Sequence, residues 1–351
     1  MTIYDAYGRP FKSLRIAVTD LCNFKCFFCH REGVEGVKDE LNVEEFALIA
    51  KASRALGAED VKLTGGEPLL KPRIEHLVAQ LNEIGFKDIS MTTNGYLLKK
   101  LAPALIDSGL KRINVSLHSL RRERFRKITG VDALERVVEG IQTALELGLP
   151  VTINVTVLKG INEDELMDLI SFASSRGMNV HLIELHPVGR GKDVFNQAHS
   201  FPDELLNELE KRASRKEIRR LHNRLRFIME NGSIVELVRP VSNPLFCAGC
   251  LRIRVSPDGK LYPCLNEYNR LVDVKDIIRS DLEEDEKIER IMKKIVEINR
   301  FRRPYAMWSI QYEKEIIMGD KERWCEFKKL YRKKNFTFRI GMPKRDGTLQ
   351  L

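Results

Sequence analysis

Apolar and polar positions alternate between two patterns along residues 14–184. Short runs rich in β-branched residues occupy 14–19, 60–64, 88–93, 112–117, 151–158 and 179–184, the signature of buried strands in a parallel sheet. Between them, 43–56, 73–84, 97–108, 133–147 and 163–175 repeat their apolar residues at helical spacing. Asn42 before Val43, with Glu45 three residues later, is a capping-box start, and a glycine follows each helical run where a left-handed cap is expected. Strand–helix–strand units with right-handed crossovers build a parallel sheet. Six strands admit a flat doubly wound sheet or a curved partial barrel, and in both the ligand loops lie at the carboxyl ends of the strands.

The pattern changes after residue 189. Residues 190–215 read as a linker, Arg190-Gly-Lys, and a helix opened by Phe201-Pro-Asp. Strands at 225–229 and 234–238 flank Asn231-Gly232, a strong hairpin turn. A second hairpin is expected from 251–255 and 260–263 around Ser256-Pro-Asp-Gly259. Three segments follow: 1–215 as a parallel α/β unit, 216–309 as an α+β domain, and 310–351 as a basic extension.

Candidate chemistry lies in the cysteines. Of seven, six form two triplets and Cys325 stands alone. Cys22-Asn-Phe-Lys-Cys26-Phe-Phe-Cys29 follows directly on the first strand-like run. Three thiolates on one loop suit three corners of an iron–sulfur cube and leave its fourth iron open to a ligand. The alternative is a zinc site closed by His30. In the second triplet, Cys247-Ala-Gly-Cys250 is followed by the hairpin, which would return Cys264 beside it. That makes a second three-thiolate site, or a zinc ribbon completed by a histidine or Cys325.

Composition narrows the class. Hydrophobic residues make up 43% and charged residues 31%, as in a soluble globular protein, and no apolar run is long enough to cross a membrane. The N-terminus lacks the basic-then-apolar order of a signal peptide. An odd, clustered cysteine count suits metal ligation in a reducing compartment such as the cytoplasm. Net charge is +9, and residues 310–351 hold eleven Lys and Arg against six Asp and Glu. A basic excess fits nucleic acid, an anionic membrane or a phosphorylated small molecule. Tyr331, Phe336 and Phe338 interleave with cations, as on a nucleic-acid platform. A zinc-containing nucleic-acid-binding protein is therefore one reading, although it leaves the βα repeat and Thr64-Gly-Gly-Glu-Pro68 without a purpose.

Cys-x3-Cys-x-aromatic-Cys after a first strand, with Phe28 as the aromatic residue, resembles the radical S-adenosylmethionine (SAM) enzymes. The resemblance implies a partial (β/α)6 barrel and a [4Fe–4S] cluster on Cys22, Cys26 and Cys29 that binds SAM. It assigns SAM contacts to the Phe28 backbone, to Gly65, Gly66 and Glu67 at the methionine amino group, to Ser116 and to His186. From the residues alone, the two glycines allow a close backbone approach, and Glu67 faces an amine or caps the next helix.

The spacing of the second triplet, with Tyr4-Asp-Ala-Tyr-Gly-Arg9, Phe27-Phe-Cys-His-Arg-Glu-Gly33 and Ile183-Glu-Leu-His-Pro-Val-Gly189, is similar over residues 1–305 to archaeal-type GTP 3′,8-cyclases of molybdenum-cofactor biosynthesis. That likeness implies a second [4Fe–4S] cluster on Cys247, Cys250 and Cys264. It implies conversion of GTP to (8S)-3′,8-cyclo-7,8-dihydroguanosine 5′-triphosphate. Substrate contacts carried over are Arg15, Lys62, Thr93, Thr152, Arg252, Ile253 and Arg254; strand alternation puts Arg252 and Arg254 on one face. A ferredoxin or flavodoxin would supply electrons, and a homodimer is admitted. Three features depart from the family: Asp60 and Thr152 stand where it carries basic residues, and the chain ends Thr348-Leu-Gln-Leu351 in place of Gly-Gly. They keep open a radical SAM enzyme with an auxiliary cluster acting on another nucleotide or a peptide.

Overall fold

Strand order decides between the two sheet types. The computed structural model describes residues 1–33, 36–243, 245–267 and 270–303. In it β1 (Ser13–Ala17), β2 (Asp60–Thr64), β3 (Asp88–Thr93), β4 (Arg112–Ser116), β5 (Val151–Val157) and β6 (Asn179–Glu184) run parallel, side by side in chain order. A doubly wound sheet would reverse its order at a switch point. This one does not, and its strands wrap a common cavity as a partial barrel does.

Both edges of the six-stranded segment are continued by the second half of the chain. β7 (Ala213–Arg219), β8 (Arg224–Met229) and β9 (Ile234–Val238) form an antiparallel meander, and β9 pairs parallel to β6. β10 (Arg252–Val255), β11 (Lys260–Tyr262) and β12 (Val272–Asp273) form a second one, and β10 pairs parallel to β1. The sheet therefore reads β12-β11-β10-β1-β2-β3-β4-β5-β6-β9-β8-β7, and Met1–Ala306 is one compact unit.

Alternation along the strands separates two environments. Leu14, Ile16, Val61, Leu63, Ile89, Met91, Ile113 and Val115 are fully buried in the apolar core. The helices α1 (Val43–Ala55), α2 (Ile74–Glu83), α3 (Leu98–Asp107), α4 (Arg122–Thr129), α5 (Leu134–Glu146) and α6 (Leu166–Ser174) lend that core residues such as Phe46, Leu77, Leu105, Phe125, Val137 and Leu169. On the opposite parity stand Arg15, Lys62, Ser90, Asn114, Asn154 and His181, which line the cavity. The strands are thus apolar on one face only, where fully buried strands would be apolar on both.

The capping box is present: the Asn42 side chain accepts from the Glu45 N–H at 2.8 Å, and Glu45 accepts from the Asn42 N–H at 2.7 Å. The Asn231-Gly232 turn closes the β8–β9 hairpin, with the Met229 N–H donating to Ser233 at 2.9 Å.

Several elements were not anticipated, among them β12, α9 (Lys275–Ile278) and α10 (Glu284–Asn299), for which no expectation was drawn. α4 carries only Phe125, Ile128 and Thr129 as buried residues among its charges, too few to mark a helical period. α7 (Gly191–Ala198) falls in the stretch expected to be a linker, and buries only Gly191 and Ala198. β7 follows α8 (Asp203–Arg212), the helix that Phe201-Pro-Asp announced. It is an edge strand with no fully buried residue, so it carries no apolar alternation to read. α9 (Lys275–Ile278) and α10 (Glu284–Asn299) complete the unit, and Ile291, Ile295 and Ile298 of α10 join the same core. The expected extension at 310–351 and Cys325 lie outside the described residues.

Replacing Asn42 with alanine removes one side of the capping box. The substitution should cost about 1 kcal/mol, read as a lower denaturation midpoint with an unchanged denaturant slope.

Candidate functional site

The loops at the carboxyl ends of β1, β2, β3, β4 and β6 meet at the mouth of a cavity of about 360 Å³, within the range of nucleotide-sized sites. Cys22, Cys26, Cys29, Phe28, Gly65, Gly66, Ser116 and His186 are on its wall. So are Arg15, Lys62, Thr93, Arg252 and Arg254, and all three cysteines of the second triplet. Both triplets therefore open into one space. The β10–β11 hairpin, in which Arg254 pairs with Tyr262, brings Cys264 back beside Cys250.

Three expected contacts stand off the wall. Ile253 is fully buried in the outer core, because alternation turns it away from Arg252 and Arg254. Thr152 shares its face with Asn154 but lies one step nearer the amino end of β5, in register with Asn114. Glu67 is fully buried. Its carboxylate accepts from the Leu69 N–H at 3.0 Å, the Thr93 hydroxyl at 2.6 Å and the Asn94 N–H at 2.6 Å. It thus caps the turn Pro68–Leu70 and ties it to β3. Burial pushes the Glu67 carboxyl up to about 7 in spite of these hydrogen bonds.

The glycine pair has a steric reason. The Gly66 N–H donates to Thr19 O and the Glu67 N–H to Leu21 O, each at 2.7 Å. A Cβ on Gly65 would stand 2.3 Å from Thr19 O, and one on Gly66 would stand 2.2 Å from Leu21 O. The loop after β2 is in this way zipped to the segment that enters the first triplet. Phe28 packs edge-on against His118, with ring centroids 5.0 Å apart. His118 itself accepts from the Thr156 N–H at 3.1 Å, and burial lowers its pKa to about 4. His186 is likewise lowered by burial, to about 3.

Sequence reasoning missed the centre of this arrangement. Glu32, three residues after Cys29, is 2% exposed. Its carboxylate pairs with Arg15 at 3.2 Å and with Arg254, and accepts from the Thr64 hydroxyl at 3.0 Å. Its carbonyl accepts from the Tyr262 hydroxyl at 3.1 Å. Burial alone would raise the Glu32 carboxyl; Arg15 and Arg254 outweigh burial and hold it well below the usual range. Arg31 and Glu32 have φ of 45° and 50°, a left-handed conformation that costs non-glycine residues on the order of 1–3 kcal/mol each. The ion pairs hold that turn closed.

The donor sets fit iron–sulfur clusters. The six cysteines of the two triplets are free thiols. Backbone N–H groups two residues on donate to the Sγ of Cys22 and Cys29 at 3.4 Å and of Cys264 at 3.5 Å, the kind of bond that supports a ligating thiolate. No three His, Cys, Asp or Glu side chains among the described residues converge as they would on a single metal ion, whereas a cubane spreads its cysteines over separate irons. His30, the candidate fourth zinc ligand, accepts from the Glu32 N–H through Nδ1 at 3.0 Å. In the first triplet burial raises every thiol pKa. Burial also acts on Cys250, but Arg302, Arg9 and Arg252 more than offset it and leave that thiol below its ordinary value. Arg9 donates to Cys247 O at 2.6 Å and Arg302 to Cys250 O, so two arginines clamp the second loop.

The wall is strongly cationic: eleven Lys and Arg side chains face the cavity against four carboxylates. Lys62 donates to Asn114 Oδ1 at 2.8 Å, and its pKa is depressed by burial and then by Arg112, Arg15 and Arg252. Arg252 is 8% exposed and forms no salt bridge among the described residues. Burial, Arg15 and Arg254 depress its pKa. Such a wall calls for an anion.

Comparison with known proteins places this geometry. The Radical SAM superfamily matches residues 16–173, and Molybdenum Cofactor Synthesis C matches residues 178–304. Among solved structures, Streptococcus suis SuiB bound to S-adenosylmethionine superposes with a TM-score of 0.55 at 16% identity, over 85% of this chain and 68% of that one. anSMEcpe with bound AdoMet gives 0.51 at 16%, over 80% and 82%. At such identity the likeness is one of fold, and that fold is the radical SAM fold. A probable GTP 3′,8-cyclase from Saccharolobus islandicus is 46% identical over 308 residues, covering 87% of this chain and 99% of that protein. Another from Sulfurisphaera tokodaii is 46% identical over 289 residues, or 82% and 91%. The chain belongs to the GTP 3′,8-cyclase family of radical SAM enzymes, whose cofactors are SAM and iron–sulfur clusters. Among the described residues no helix is long and apolar enough to cross a membrane.

Glu32→Gln would leave Arg15 and Arg254 buried without a carboxylate, at a cost of about 3–5 kcal/mol. Because the folded-state pKa is depressed, the stability that Glu32 contributes is complete above its ordinary value of 4.5 and is lost as pH falls below it. Denaturation midpoints of wild type and variant, measured on the metal-free chain, should therefore differ most near neutrality and draw together in acid.

Proposed function

We propose that this enzyme converts GTP to (8S)-3′,8-cyclo-7,8-dihydroguanosine 5′-triphosphate, the cyclisation that opens molybdenum-cofactor biosynthesis, and that it works in the cytoplasm. One observation carries the reading: two three-thiol loops and a surplus of buried cations share a single cavity. Cluster-bound SAM, once reduced, supplies a carbon radical able to take hydrogen from C3′ of the ribose, so that C3′ can join C8 of the base.

The chain's own residues bind, orient and exclude water. Cys22, Cys26 and Cys29 would hold the first cluster, and Cys247, Cys250 and Cys264 the second on the same cavity, each leaving one iron for a ligand. The Phe28 backbone, Gly65, Gly66, Ser116 and His186 would hold SAM, while Glu67 fixes the loop that carries the glycines. Arg15, Lys62, Arg252 and Arg254 hold the nucleotide phosphates, with Thr93 nearby. Thr152 and Ile253 stand aside. Residues 1–215 build the SAM half, and residues 216–309 build the auxiliary-cluster half. A low-potential carrier such as ferredoxin or flavodoxin delivers two electrons per turnover, one for the cleavage of SAM and one that, with a proton, converts the cyclised radical to the dihydro product; a homodimer is compatible with this scheme.

Anaerobically reconstituted protein, given SAM, dithionite and GTP, should yield deoxyadenosine and the cyclised nucleotide in equal amounts. Cys22→Ala, Cys26→Ala and Cys29→Ala should abolish SAM cleavage. Cys247→Ala, Cys250→Ala and Cys264→Ala should keep cleavage and lose the product. Deoxyadenosine formed without any cyclised guanosine in the wild type would point to a different substrate.

A further inference from the structure

The wall built by β7, β8 and β9 carries a second cluster of charge that the roles above do not use. Glu236 on β9 is 1% exposed. It is ringed by Arg219 Nη1 at 3.2 Å, Arg224 Nη1 at 2.7 Å and Arg226 Nε at 2.7 Å, and His181 Nε2 stands 3.6 Å away. Arg226 has a second carboxylate in Glu217, at 3.4 Å, and is not on the cavity wall. Arg219 and Arg224 are on that wall. Arg224 is 8% exposed, and its Nε has no hydrogen-bond partner; the same is true of Arg252. A buried guanidinium N–H without an acceptor is costly, and Arg9, Arg15 and Arg302 on the same wall each have one as well; together they mark a place for an anion.

Charge balance indicates which anion. Lys62 and Arg252 have no carboxylate, Arg15 and Arg254 share Glu32, and Arg219 and Arg224 share Glu236. Arg112 is neutralised by Asp88, which accepts from its Nε at 3.0 Å. Asp60, beside Asp88 at the amino ends of the strands, can remove one positive charge at most. Among these six cations and the carboxylates that face them, the surplus is about three to four positive charges; it matches a triphosphate, which carries one charge on each bridging phosphate and nearly two on the terminal one, whose second pKa is about 6. The two groups of cations are joined by a continuous belt of neutral side chains. Lys62 donates to Asn114 at 2.8 Å, Asn114 donates to Asn154 at 3.2 Å, and Asn154 meets His181 at 3.0 Å, next to Glu236.

We propose that Arg219 and Arg224 are substrate-binding residues that, with Lys62 and Arg252, hold the polyphosphate end of the nucleotide. This rests on the nucleotide reading above and extends it to the β7–β9 wall. The single carboxylate of Glu236 aligns the two guanidiniums while leaving each with N–H groups to donate.

The test is equilibrium binding of GTP, GDP, GMP and guanosine to anaerobic holoenzyme. Wild type should bind more tightly with each added phosphate. Arg224→Met and Arg219→Met should each weaken GTP roughly tenfold or more, the loss expected for one charge-assisted contact, and leave guanosine unchanged. Arg224→Lys should recover part of the loss. Iron content at the wild-type level shows that the second cysteine loop is intact; Arg219, whose side chain is 30% exposed and, among the described residues, has its ion pair with Glu236 alone, serves where Arg224→Met disturbs it. An unchanged ratio of GTP to guanosine affinity in both variants overturns the proposal, as does equal weakening of both ligands. If wild type binds ATP and not GTP, with the same arginine dependence, the phosphate site stands and the choice of GTP falls. If it binds no nucleotide at all, both fall.

Discussion

The carboxylate of Glu32 holds the site together. It sits where two guanidiniums from different halves of the chain, Arg15 on β1 and Arg254 on β10, would otherwise repel one another in a buried space. Removing three charges from water is expensive, and a buried carboxylate between two cations offsets that cost only when its remaining acceptor sites are filled. Thr64 and the neighbouring arginines fill them. One residue just after the first triplet therefore fixes the angle of that loop, the height of β2 and the position of the hairpin that returns Cys264. Its left-handed backbone shows that the turn is imposed by these partners and is not a local preference.

The same logic recurs across the cavity at Glu236. In both places a lone carboxylate organises more cations than it neutralises. An apolar lining would be more stable for the empty chain, but it would offer nothing to an anion. The barrel interior is built for a charged ligand at the expense of the chain's own balance, while the outer face of the same strands carries the apolar packing.

What could be read in the sequence was what is local. The capping box at Asn42, the hairpin at Asn231-Gly232 and the two cysteine triplets depend on neighbours within a few residues, and the structure keeps them all. Parity on β10 put Arg252 and Arg254 together on one face. Depth along a strand was harder to read: Thr152 has the right parity, yet it lies below the cavity wall. Glu67 had two readings, and the capping role is the one its hydrogen bonds fill. Glu32 could not have been found, because its decisive partner lies 222 residues away. Arg219 and Arg224 stand on and beside an edge strand without apolar alternation, where no pattern in the sequence singles them out.

The parallel pairing of β1 with β10 and of β6 with β9 has a consequence for how the protein is made. While the ribosome is still working, the first six strands have two bare rims, each a row of unpaired amides ready to recruit a stranger. Neither rim is sheltered until the later strands emerge. The nascent protein must therefore wait for its own distant end, or be chaperoned until it arrives.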